Sequence, residues 1–205
     1  DNTHATPEMM RAAFANYRSR GVDGYYTWAL KWPPDEARQQ ILTEQGDADS
    51  VRKGAKHYFT PGRVLKEGGV ASYQSALPLS IAPNDTGGRY GVPMFISDDL
   101  EQQRRASRLR LFVRGLVDAD EFTVYLNDQS VMAESSRRYF HDTLAPEVGR
   151  WLEFALERIH PQTGANVLEV ELHRRGANDV SNPNSAHGTG LLQPFIIEEV
   201  ELIVE

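Results

Sequence analysis

The residue types that point to chemistry in this sequence are mostly aromatic. In the segment 109–114, Leu109, Leu111 and Val113 alternate with Arg110, Phe112 and Arg114. A two-residue period puts each set on its own face of a strand. By the same rule Tyr125 lies opposite Val124 and Leu126, and Trp151 lies opposite Leu152, Phe154 and Leu156. If the aliphatic set faces the core, Tyr125, Trp151 and Phe112 face outward with Arg110 and Arg114. An outward ring can stack on the apolar C–H face of a sugar, and a guanidinium can donate to its hydroxyls. The competing reading makes this face the seat of the chain's first segment, and a given residue cannot serve both. A second aromatic group, Tyr26, Trp28, Lys31 and Trp32, crowds the end of the segment 22–30. Its rings could stack on a ligand while Lys31 donates to it, or Trp28 and Trp32 could pack beneath the β-rich remainder.

Other chemistries are poorly represented. There is no Cys, which removes disulfides, thiol catalysis, zinc fingers and iron–sulfur clusters together. The six histidines form no i, i+2 or i, i+4 pair, so no metal site and no cofactor is expected from them. Asp98-Asp99 with Glu101, or Asn84-Asp85, offers oxygens for a structural calcium ion, or else simply a solvated turn. No Gly-x-Ser-x-Gly elbow, phosphate-binding loop or dinucleotide fingerprint occurs. The polar run 178–187 reads as a ligand loop or an ordinary exposed one. No catalytic residue is assigned.

The elements that must position these residues divide the chain in two. Residues 1–58 read as an αβα segment. Thr6 is a natural N-cap, Pro7 fits the first helical position, and Met9, Met10, Ala13, Phe14 and Tyr17 follow at helical spacing up to Gly21. Residues 22–30 are short, aromatic and β-branched without clean alternation, as expected of a strand buried on both faces. A second helix is expected from Pro34 to Gln45, with a further helical turn over 47–53. Residues 59–205 read as a β-sandwich, because at least five runs alternate: 109–114, 122–126, 152–156, 168–172 and 200–204. Weaker strands are expected at 76–81 and 92–97, and Asn127-Asp128 marks a turn.

Composition narrows the function classes. The 205 residues carry a net charge of −7, which argues against a nucleic-acid partner held through its phosphates. No apolar run approaches the ~20 residues of a membrane helix, so no membrane partner is expected. The chain opens at Asp1 with no signal-like segment, which suggests either a removed leader or a piece of a longer protein.

The runs 109–116, 122–127, Trp151-Leu152-Glu153-Phe154, Asn166-Val167-Leu168-Glu169-Val170 and 197–204 resemble the galactose-binding-like jelly-roll modules of carbohydrate-active enzymes. The segments 10–17, 21–28 and 41–47 resemble the end of a TIM barrel, the (β/α)8 barrel of glycoside-hydrolase-like enzymes. The fold class expected is therefore mainly β, a jelly-roll sandwich preceded by a barrel end. The resemblance implies an ancillary region that supports the rest of a barrel domain in a longer parent chain. It implies carbohydrate as a partner, with Tyr26, Trp28, Lys31 and Trp32 at the catalytic end of a barrel strand. A secreted or periplasmic location goes with it. The alternative is a stand-alone, non-catalytic carbohydrate-binding module or a structural interaction domain.

Overall fold

The structure, a computed structural model, describes residues 5–26, 33–60, 76–117, 119–140, 149–176 and 194–205. Helix α1, Pro7–Ser19, begins where Thr6 accepts a hydrogen bond from the Met9 amide. Helix α2, Glu36–Glu44, is capped by Asp35, and α3, Ala48–Lys53, by Asp47. Met10, Phe14, Ile41 and Val51 bury one another among the three helices.

The strand expected at 22–30 is absent from its described part. Residues 22–26 form no ladder. Gly21 takes φ 83°, which turns the chain back along α1. Tyr25 then packs on Phe14 at 4.8 Å and donates its hydroxyl to the Phe14 carbonyl at 2.8 Å. The aromatic character that suggested a buried strand here serves helix packing. Residues 27–30 lie outside the described residues.

The remainder is mainly β, in two antiparallel sheets compatible with a β-sandwich. The strands are β1, Lys56–Thr60; β2, Leu79–Ile81; β3, Arg89–Ile96; β4, Ser107–Arg114; β5, Glu121–Leu126; β6, Gln129–Ser130; β7, Ser135–Phe140; β8, Gly149–Leu156; β9, Gly164–Arg174; and β10, Phe195–Val204. A short helix α4, Leu100–Gln103, joins β3 to β4. The first sheet runs β1-β10-β4-β8-β7, with β2 also paired to β10, and the second runs β3-β9-β5-β6. Leu109, Leu111 and Val113, Leu152, Phe154 and Leu156, and Val200, Leu202 and Val204 meet Val92, Met94 and Ile96, Leu168, Val170 and Leu172, and Phe122, Val124 and Leu126 in one core. A register shift between Ile197 and Glu199 lets Ile197 and Val200 both face inward. Asn127 and Asp128, at φ 49° and 65°, form the two-residue hairpin turn between β5 and β6.

Helix α1 lies along the side of this two-sheet body, against β1 of one sheet and β3 of the other. Ala12 enters the core shared by the sheets. Asn16 donates through Nδ2 to the Phe95 carbonyl at 2.8 Å and accepts from the Ser97 amide at 3.1 Å. Arg20 stacks over Phe95 at 4.0 Å. The helical segment therefore closes an edge and does not sit on the outer face of the first sheet, as the competing reading of that face required.

Candidate functional site

The outer face of the first sheet carries a dense group of polar and aromatic side chains. Strand register builds it in rows. Phe59, Glu201, Arg110, Glu153 and Arg137 are successive partners across β1, β10, β4, β8 and β7. The adjoining row holds Tyr139, Trp151, Phe112 and Glu199. Opposite charges directly across a ladder attract, so the alternation acid–base–acid–base is self-supporting.

Arg110 is the hub. Its guanidinium lies 4.2 Å from the centre of the Trp151 ring. It donates to Glu201 at 2.9 Å and to the Tyr139 hydroxyl at 2.9 Å. Tyr139 in turn donates to Glu153 at 3.4 Å, and Arg137 Nε donates to Glu153 at 2.7 Å. That hydrogen bond holds the Arg137 guanidinium above its ordinary pKa. Glu153 and Glu201 are both buried, so each charge depends on these partners. His57 Nε2 stands 3.3 Å from Glu201.

Trp151 lies on the outer face, as its alternation requires, yet it is only 5% exposed. Phe112 packs beside it at 5.3 Å, and Arg110 covers it. Alternation fixes the side of a strand but does not reveal what the neighbouring strands lay over it. As it stands, the ring offers no open platform.

Tyr125 lies on the outer face of the second sheet, on the opposite side of the body from Trp151. Its hydroxyl donates to Glu171 at 2.8 Å, and Arg89 lies over its ring at 3.8 Å. This hydroxyl is the first reason that the Glu171 carboxyl sits below its ordinary range. Tyr26 is 85% exposed beside the helical segment. Trp28, Lys31 and Trp32 lie outside the described residues, as does the run 178–187. The described candidates thus fall at three separate places and do not form one site.

A second polar cluster went unread in the sequence. Lys56 is fully buried, with Nζ donating to Arg52 O at 2.8 Å and to Asp98 Oδ1 at 3.1 Å. Burial lowers the lysine pKa, and Asp98 opposes that shift. The Tyr58 hydroxyl donates to Asp98 Oδ2 at 3.0 Å, and its own pKa is pushed up, first by burial and then by the Asp98 charge. This triad seals the junction of β1 with the end of β3. It accounts for both oxygens of Asp98, one of the carboxylates considered for calcium. Asp99 accepts from the Gln102 amide, and Asp85 accepts from the Tyr90 hydroxyl. Among the described residues no three His, Asp or Glu side chains gather in a group that could hold a metal, and no helix is long and apolar enough to cross a membrane. Compared with known proteins, the sequence matches no family model and no curated relative.

Proposed function

We propose that the chain is the ancillary region of a carbohydrate-active, glycoside-hydrolase-like enzyme, a jelly-roll β-sandwich onto which a helical segment leading from a catalytic barrel is fastened. The observation that carries this reading is the attachment of α1. Ala12 lies inside the core, and Asn16 is bonded at both ends of its amide to the end of β3 and the residue after it. A helical segment bound this way passes its position on to whatever precedes it, which is the task of a support. The charged outer face of the first sheet is held by its own ion pairs and needs no ligand to be stable. The second reading, a stand-alone carbohydrate-binding module, draws on Tyr26, whose side chain is 85% exposed.

The test is the intact mass of the native protein, captured from its source with an antibody to the sandwich. A mass far above 23.1 kDa, with glycoside-cleaving activity in the same fraction, supports the proposal. A mass near 23.1 kDa overturns it in favour of the stand-alone module.

A further inference from the structure

One end of the two-sheet body holds an open cleft of about 640 Å3, inside the range of small-molecule sites. It lies where β4 begins and β8 ends, beside α4 and Glu205. Its polar lining is rich in hydrogen-bond donors. Arg104, Arg105, Arg108, Ser107 and His160 contribute, while Ala106, Ala155 and Leu156 supply an apolar wall.

Three polar atoms buried in this lining have no hydrogen-bond partner among the described residues: Ser107 Oγ, Arg108 Nε and His160 Nδ1. A buried donor without a partner carries a desolvation cost that proteins rarely leave unmet. The comparable atoms elsewhere differ in kind. His57 Nε2, Arg110 Nε and Arg175 Nε each face a carboxylate within 3.5 Å, and the fourth such atom, Arg175 Nη1, belongs to the guanidinium whose Nε is so paired. Ser107 is itself only 3% exposed. Its hydroxyl and the Arg108 Nε–H are donors lying behind the cleft wall, and His160 Nδ1 is a donor in one tautomer.

The arginines add charge to the donors. Arg105 is held in place by bonds to Glu205 O at 2.9 Å and Arg52 O at 3.2 Å. Among the described residues no Asp or Glu side chain pairs with Arg104 or Arg105. The acids of the lining are accounted for separately. Glu205 is engaged by Arg108 at 2.6 Å, and Glu101 and Glu157 are exposed. These two acids repel a polyanion, so the cleft suits a single oxyanion. The volume exceeds that of a bare ion, and the Ala106–Ala155–Leu156 wall suits a C–H face.

We propose that this cleft binds an oxyanion carried on a small hydroxylated ring, the carboxylate of an acidic sugar, with Arg104, Arg105 and Ser107 on the carboxylate. The choice of a sugar rests on the reading of the chain as part of a carbohydrate-active protein, whereas the preference for an oxyanion rests on the cleft alone.

The test is a calorimetric titration of the full chain with glucuronate, glucose and sulfate. Glucuronate binds, and glucose binds at least about tenfold more weakly, because a charge-assisted bond is roughly twice as strong as a neutral one. Ser107→Ala and Arg104→Ala each weaken glucuronate about tenfold or more without lowering the melting temperature, since neither side chain has a hydrogen-bond or ion-pair partner among the described residues. Equal binding of glucose and glucuronate overturns the proposal, as does wild-type affinity in both variants. Binding of sulfate without glucuronate also overturns it, by showing an ion site that takes no sugar. None of these results alters the native mass, so the failure of either proposal is recognisable on its own.

Discussion

Replacing Trp151 with alanine separates a structural tryptophan from a ligand platform. The ring is 5% exposed, lies against Phe112 at 5.3 Å and is covered by Arg110 at 4.2 Å. The site is tight, since a methyl group on neighbouring Gly149 would stand 2.2 Å from Phe112 Cζ. Truncating a buried aromatic of this size costs about 3–5 kcal/mol. The lost stack under Arg110, worth roughly 0.5–2 kcal/mol, falls within that figure. For a chain of this length each kcal/mol moves the melting temperature by about 2–4 °C, so a fall of about 6–20 °C is expected by scanning calorimetry. Retention on polysaccharide affinity gels at a temperature where the variant is still folded should match that of the wild type. A melting temperature within about 2 °C of wild type, together with lost retention, would refute the reasoning and restore Trp151 as a sugar platform.

Three further outcomes follow from the same contacts. Arg110→Ala leaves the buried Glu153 and Glu201 with fewer counter-charges and costs about 3 kcal/mol in urea unfolding; adding Glu201→Gln returns part of that loss. Lys56→Met strands the Asp98 carboxylate and costs about 3–5 kcal/mol, whereas the double variant Lys56→Met with Asp98→Asn recovers most of it in the same assay. The Arg11 hydrogen bond holds the Glu44 carboxyl below its ordinary range, so its stabilisation is present above the unfolded-state pKa and is lost as pH falls through the lowered value. The stability difference between wild type and Glu44→Gln should therefore shrink between about pH 5 and pH 3; a difference independent of pH would contradict the pairing.

The parts of the fold legible in the sequence are those where one local signal acts alone. Thr6-Pro7 marked the start of α1, and alternation marked β4, β5, β8, β9 and β10 because each has one face on the core. Strand β1 escaped because one of its inward positions is Lys56, whose counter-charge is Asp98, 42 residues further along. Strand β7 escaped because it is an edge strand whose Ser-Ser-Arg-Arg opening shows no apolar period. The reading of 22–26 as strand failed because Tyr25 spends its ring and hydroxyl on α1. The candidate site was less legible still. Alternation placed Trp151 and Tyr125 outward, but only the sheet order shows that they lie on opposite sides of the body. The end cleft joins residues from α4 to Glu205, and no local pattern announces such a meeting.

The helical segment and the two sheets form one packed body. Native-state amide exchange along α1 measures it directly. The amides around Ala12 and Asn16 should open only with the global unfolding seen in β4 and β10, and Asn16→Ala should lower their protection selectively. Exchange of the α1 amides at near-unfolded rates, while β4 and β10 stay protected, would contradict the attachment and remove the basis for a supporting role.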